Sequence, residues 1–428
     1  MIAPARRAAL DALASIDEGA MDLGAAVAQV RHTLRDDRDR ALLLELVGGT
    51  LRMQGALDFQ LQKYQRRAVE PAIQRVLRLG AYQLLYLSRL PASAIINDAV
   101  ELTRRSGKSS ASGLTNAVLR GLSRDLGRLT WPDRTETLDY LSVVHSHPRW
   151  LVERWVERHG ADHAEQWVAF NNRAPSMCLA VNRHLATREA VASALAAQGV
   201  ATTPTSRARY GLEVTTGNAL STPAFSDGLF LVQDEASQLI AELAETQPGD
   251  RVLDVCASPG GKTLALSAAA GAHGTVVACD VRLKRVRLLQ RTLERCRVPN
   301  ATTALIPADG PLPFEARPFA RVVIDAPCSG LGTVRRDPDI KWRRAPGDLD
   351  RFAVGQRALL ARAAGLVTPG GTLVYATCSS EPEENDDVVT AFLAERSDFS
   401  LHRRHQTLPF RDGLEAFFGA VLRRSTIG

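Results

Sequence analysis

The sequence predicts an α/β protein: a Rossmann-like, doubly wound parallel sheet in the C-terminal half, preceded by an all-α segment and a small α+β connecting segment. Three observations predict this. Residues 1–130 carry helical apolar periodicity without strand-like alternation. From residue 226 onward, short apolar runs alternate with helical stretches. Glycine turns, acids and cysteines cluster at the ends of those runs. The expected division is therefore 1–130, 131–225 and 226–428.

With 428 residues the chain has room for two or three cores. Hydrophobic content of 45% and charged content of 23% are ordinary for soluble globular proteins. No apolar run reaches membrane-spanning length. The start, MIAPARRAALDAL, has arginines but no apolar segment of the signal-peptide kind, so a cytoplasmic, membrane-free setting is expected. The cysteines are Cys178, Cys256, Cys279, Cys296, Cys328 and Cys378. No two form a CxxC pair and no nearby histidine completes a zinc pattern, so neither a metal site nor a disulfide framework is expected. The net charge is +6, and residues 1–130 hold 19 basic against 13 acidic residues, so the whole excess lies in that third. That asymmetry suits a polyanion such as RNA, although only five of the 53 basic residues are lysine and arginine is simply favoured.

In the first segment, Pro71 suits the first turn of a helix, where its missing N–H costs little. Ile73, Val76, Leu77, Tyr82, Leu84 and Leu85 then form a helical stripe that stops before Pro91. Further helices are expected over 94–105 and 114–122. In the connecting segment, Trp150, Val152, Trp155 and Val156 mark an amphipathic helix. The run MCLAVNR (177–183), a helix near 187–198 and a strand near 210–215 suggest a small β-α-β unit. His145 and His147, followed by Pro148 and lacking a third ligand nearby, read as loop or cap residues. The last segment contains RVLDVCA (251–257), TVVACD (275–280), ARVVIDAP (320–327) and GTLVYATC (371–378) as short apolar runs. In such sheets ligands bind at the carboxyl ends of the strands, where the remaining motifs fall.

The first of these is DVCASPGGKT (254–263), a glycine turn between a strand and a helix. Glycines let backbone approach a ligand, and the helix N-terminus offers free N–H groups. A phosphate-binding P-loop requires glycine where Cys256 stands, and a dinucleotide fingerprint requires glycine at Cys256 and Ser258, so both fail. Asp280 closes the next strand, where an acid accepts from ribose hydroxyls. Asp309, in PADG, is placed to meet an adenine amine. Sugar and adenine without phosphate recognition point to S-adenosylmethionine.

Two cysteines supply the chemistry. Cys328 lies in DAPCSG (325–330) and Cys378 in TCSS (377–380). Cytosine C5 becomes nucleophilic only after a nucleophile adds to C6, and cysteine is the strongest such side chain near neutral pH. An acid must hold N3 as negative charge builds on the ring. Sequence chemistry alone does not choose between the two thiols, because DNA cytosine methyltransferases carry their nucleophile in a Pro-Cys motif like that of Cys328. Cys178, Cys279 and Cys296 read as packing residues. After Cys328 come Arg335, Arg336, Lys341, Trp342, Arg343 and Arg344, cations joined to an aromatic ring, a combination suited to an RNA strand with splayed bases.

LRLGAYQLLYL (77–87), PASAIINDAVELTRR (91–105) and GLTNAVLR (113–120) resemble the NusB-type RNA-binding fold. DAPCSG, TCSS and DVCASPGGKT closely resemble the RNA 5-methylcytosine methyltransferases. Nearly the whole chain is similar to the ribosomal small-subunit methyltransferase B group (also called Fmu or Sun), including QDEAS (233–237), GLGTVRRDPDIKW (330–342) and DGLEAFFGAVLRR (412–424). The resemblance implies that Cys378 is the nucleophile, that Cys328 assists product release, and that Asp325 contacts the base close to the methyl donor. It carries the cofactor contacts onto Cys256, Ala257, Ser258, Pro259, Gly260, Gly261 and Lys262, with Asp280, Asp309 and Asp325. Ser258 stands where that group usually has alanine. The implied reaction is S-adenosylmethionine-dependent methylation of a cytosine C5 in unassembled 16S ribosomal RNA through a Cys–C6 adduct, by a monomer without metal. The RNA contacts expected are Arg335, Arg336, Lys341 and Trp342. The rival readings are a transfer-RNA enzyme of the same chemistry and a non-catalytic, NusB-like RNA-binding assembly factor. An N6-adenine enzyme would want an NPPY- or DPPY-like strand end where DAPC stands.

Overall fold

The computed structural model describes residues 2–314 and 318–426. It forms two compact units, one of Met1–Ala174 with Val334–Arg344, the other of Pro175–Thr333 with Ala345–Gly428.

The first unit is helical. Helices Pro4–Asp17, Leu23–Arg31, Asp37–Arg52, Gln54–Leu61, Pro71–Tyr86, Ala92–Arg105 and Ser112–Arg124 surround a core containing Leu13, Leu43, Leu46, Leu57, Leu77 and Leu119. Pro71 opens its helix as the sequence requires. Helices Thr137–Val143, Arg149–His159 and Ala161–Asn171 follow, and the buried Trp155 and Trp167 stack with ring centroids 4.6 Å apart. The expected 131–225 segment is thus divided, its helices up to Asn171 lying in this unit and its strands, with helix Arg188–Ala196, in the other.

Val334–Arg344 also packs in this unit. The reason is local. Helix Asp37–Arg52 ends with carbonyls that have no intrahelical partner. Lys341 donates from Nζ to the Arg52 carbonyl at 2.9 Å, and the Trp342 indole donates to the Leu51 carbonyl at 2.7 Å. Lys341 is fully buried, and burial, with Arg52 adding to it, pulls its amine well below the ordinary lysine range. The expectation that Lys341 faces RNA is corrected accordingly, because its buried ammonium serves a helix C-terminus; Trp342 bonds the same terminus and stays half-exposed.

In the second unit, β1 (Met177–Val181), β2 (Ala201–Pro204), β3 (Gly211–Thr216) and β4 (Phe230–Val232) form an antiparallel sheet in the order β2-β3-β1-β4. Helix Arg188–Ala196 covers it through Val191 and Leu195, packed with Leu179, Leu212 and Phe230. The remaining strands are β5 (Arg251–Asp254), β6 (Thr275–Asp280), β7 (Ala301–Leu305), β8 (Phe319–Asp325), β9 (Val367–Thr377), β10 (Phe399–Gln406) and β11 (Phe418–Arg424), in the order β10-β11-β9-β8-β5-β6-β7. Strands β9, β8, β5, β6 and β7 are parallel neighbours, as predicted. The antiparallel pair β11 and β10 extends the sheet, so it is mixed rather than purely parallel. Apolar residues on both faces, among them Leu253, Ile324, Leu373 and Tyr375 on one and Val252, Val323 and Val374 on the other, pack against flanking helices. Among the described residues no helix is long and apolar enough to cross a membrane.

Replacing Trp342 by alanine is expected to cost the helical unit about 2–4 kcal/mol, since both ring packing and the Leu51 hydrogen bond are lost. Denaturant unfolding followed by far-UV circular dichroism measures it. A change below about 0.5 kcal/mol, the size of an ordinary surface substitution, would contradict the anchoring role.

Candidate active site

Parallel pairing brings the carboxyl ends of β5, β6, β7, β8 and β9 to one edge, and four of the motifs sit there. After β5 the chain turns through a loop to helix Gly261–Ala270. Gly260 takes φ +116°, a left-handed conformation that glycine adopts without strain. A Cβ at Gly261 would lie 2.8 Å from the Gln233 side chain, so the turn closes tightly on the QDEAS segment.

A cavity of about 440 Å³ opens beside this loop. Its lining includes Cys256, Asp280, Val281, Ile306, Asp309 and Phe352. Asp280 is buried at the end of β6 and accepts from the Arg282 backbone N–H through Oδ1. The cavity therefore joins a carboxylate at a strand end, a second acid on the following loop, and apolar surface between them. Two buried polar atoms of the same turn, Ser258 Oγ and Asp254 Oδ1, have no hydrogen-bond partner among the described residues. Cys256 is pushed well above the ordinary thiol range, first by burial and then by Asp325, Asp254 and Asp280, so it is a neutral wall residue. Gly261 lines a different cavity of about 280 Å³, with Arg183, Tyr210 and Gln233.

The second half of the site lies at the ends of β8 and β9. Cys328 and Cys378 are both free thiols, and their sulfurs stand 3.1 Å apart. The hydrogen bond to Cys378, then burial, then neighbouring acids raise the Cys328 thiol well above its usual range, so Cys328 stays protonated. The two loops touch closely: Gly332 N donates to the Cys378 carbonyl at 3.0 Å and the Gly332 carbonyl accepts from Ala416 N at 3.0 Å. A Cβ at Gly332 would sit 1.9 Å from the Ala416 oxygen, which leaves glycine as the residue that fits.

Lys262 reaches into this half. Its Nζ donates to Asp325 Oδ2 at 2.6 Å and to Ser237 Oγ at 2.9 Å. Burial alone would lower the ammonium, but Asp325, with Asp254 and Cys378 behind it, outweighs burial and raises it above the ordinary lysine range. A buried cation thus meets an acid beside two thiols. The resemblance implied a cofactor contact for Lys262. The structure gives it to the acid, and adds Ser237, whose position in QDEAS carried no chemical signal of its own.

Of the expected RNA-facing residues, Arg335 lies over the Phe170 ring at 4.3 Å. Arg336 borders a groove of the helical unit together with Leu23, Arg31, His32 and Arg40.

Asp254 generates a pH prediction. Burial is the main cause of a carboxyl raised to about 6, moderated by the Thr263 hydroxyl and Lys262. Its folded pKa lies above the unfolded value, so the stabilisation its proton carries is complete below about pH 4 and lost as pH rises through about 6. Between pH 4 and pH 7 the wild type is expected to lose about 3 kcal/mol relative to Asp254→Asn, measured as the difference in unfolding free energy. Parallel pH profiles for the two proteins would contradict this.

Three family models match the chain: the 16S rRNA methyltransferase RsmB/F model over residues 241–422, the NusB family model over 3–124, and the RsmF/B-like ferredoxin-like domain over 147–221. Among similar proteins, a probable ribosomal RNA small subunit methyltransferase B of Bacillus subtilis (strain 168) is 35% identical, covering 90% of this chain and 89% of its own. The ribosomal RNA small subunit methyltransferase B of Pseudomonas putida is 37% identical, with 91% and 88% covered. The crystal structure of PH0851 superposes with a TM-score of 0.85 at 24% identity, covering 99% of both chains, a likeness of fold.

Proposed function

Because the chain belongs to the ribosomal RNA small subunit methyltransferase B family, we propose that it methylates C5 of a cytosine in 16S ribosomal RNA, with Cys378 as nucleophile and S-adenosylmethionine as donor. The observation that carries this reading is the pair of thiols 3.1 Å apart beside the Lys262–Asp325 ion pair. Amine or ribose methylation needs no thiol. Methylation at a pyrimidine carbon needs one to form a bond and an acid to hold the ring nitrogen.

The residues of the 440 Å³ cavity suit the donor. Asp280 is placed for ribose hydroxyls, Asp309 for an adenine amine, and Val281, Ile306 and Phe352 for the faces of the base. When bound, S-adenosylmethionine supplies an electrophilic methyl group on sulfur. The chain's own residues do the rest. Cys378 adds through its sulfur to C6 of the flipped-out base, which puts electron density on C5 and N3. As that charge builds, Asp325 takes a proton from the Lys262 ammonium, 2.6 Å away, and donates it to N3; the proton returns along the same path when the adduct collapses. Once C5 carries its methyl group, a base removes the C5 proton. The bond between C6 and the Cys378 sulfur then breaks, with its electron pair returning to sulfur. Cys328 lies within hydrogen-bond reach of Cys378, which suits it to assist this release. The assignment of Cys378 as nucleophile rests on the family to which the chain belongs. The NusB-like helices and the cationic groove at Arg31, Arg40 and Arg336 support an RNA substrate.

The test uses a labelled methyl donor, unassembled small-subunit RNA and a denaturing gel. Wild type should form 5-methylcytosine. Cys378→Ala should fall by at least about 10³-fold, and Cys328→Ala should accumulate a covalent protein–RNA band. Full activity in Cys378→Ala would transfer the nucleophile to Cys328, and methylation of transfer RNA alone would replace the substrate.

A further inference from the structure

The segment after TCSS reads EPEENDD, an acidic run that would ordinarily be a solvated face. Glu384 within it is instead fully buried. Its carboxylate receives four neutral donors. Oε1 accepts from the Ser329 backbone N–H at 2.7 Å and from the Gln356 amide at 3.1 Å. Oε2 accepts from the hydroxyls of Ser329 and Ser379. Ser329 is the residue after Cys328, and Ser379 the residue after Cys378. Gln356 also donates to the carbonyl of Pro327, the residue before Cys328, at 3.0 Å. The Tyr375 hydroxyl donates to the Glu384 carbonyl, tying this turn to β9. One carboxylate therefore holds both flanks of one thiol and the following residue of the other.

Burying a carboxylate is costly unless hydrogen bonds replace the water it gives up, and glutamine of the same shape would cost less. A carboxylate only accepts, at two oxygens, so it can join donors from two loops at once. Glutamine would turn an NH₂ toward one of those sets. The negative charge also favours the proton on Cys328, which lies within hydrogen-bond reach of Cys378.

We propose that Glu384 is the positioning residue of the thiol pair, a buried clamp that locks the Cys328 loop to the Cys378 loop and sets the distance between their sulfurs. In its catalytic consequence the proposal rests on the cysteine-dependent methyl transfer inferred above. In its geometric content it does not.

Phenylarsine oxide separates the two. It joins two thiols held close together, forming two As–S bonds and releasing one water with no change of oxidation state. Joining is followed by mass spectrometry of the peptides carrying Cys328 and Cys378, and methyl transfer is measured under single-turnover conditions. Glu384→Gln is expected to slow both by about tenfold or more, with S-adenosylmethionine and RNA affinities within about twofold of wild type and a retained melting transition. If Glu384→Gln joins the thiols as fast as wild type, the clamp is overturned, whatever happens to transfer. If joining slows as expected but wild type methylates no RNA, the clamp stands and the methyl-transfer reading falls. Should Glu384→Gln fail to fold, Ser379→Ala decides, since it removes one donor and leaves three. Joining slowed by about threefold or more supports the clamp, and unchanged joining overturns it.

Discussion

A parallel sheet delivers the carboxyl ends of its strands to one edge, and the chemistry of this chain depends on that constraint. Strands β9, β8, β5, β6 and β7 run side by side in one direction. Five loops spread over more than 100 residues are thereby forced into one neighbourhood: the glycine turn after Asp254, the acids at 280 and 309, and the cysteines at 328 and 378. No short-range interaction could assemble them. The 3.1 Å separation of the two sulfurs is a consequence of β8 and β9 being adjacent, with Ala326 N donating to the Ala376 carbonyl at 2.8 Å just before the loops diverge.

The site then divides its work by polarity. The cavity at Asp280 and Asp309 exposes mostly apolar surface, with those two acids and Arg282, Arg285, Arg351 and Arg362 in its lining, and its cysteine is held neutral by burial. The half at Asp325 is ionic, with a buried ammonium paired to an acid beside the thiols. Lys262 belongs to the first loop by sequence and to the second half by contact, so it couples the turn beside the cavity to the reacting edge.

Much of this was legible in the sequence. The helices of the first segment followed from apolar spacing and from Pro71, and the parallel strands from apolar runs ending in acids or cysteines. What stayed hidden was set by long-range partners. The antiparallel strand β10, rich in exposed charge, carries little apolar signal, because an edge strand buries one side at most. Lys341 and Trp342 looked like an RNA face because composition does not show that helix Asp37–Arg52, nearly 300 residues earlier in the chain, presents open carbonyls to them. Glu384 carried no signal of its own, because its four donors come from residues 329, 356 and 379.

The central claim is that the bond to RNA forms at Cys378. It is tested most directly with a small-subunit RNA carrying 5-fluorocytosine. Fluorine at C5 cannot leave as a cation, so the adduct would persist after methyl transfer and could be digested and sequenced by mass spectrometry. The account predicts the nucleotide on the peptide containing Cys378, with Cys328 unmodified. A nucleotide on Cys328, or turnover without any adduct, would contradict it.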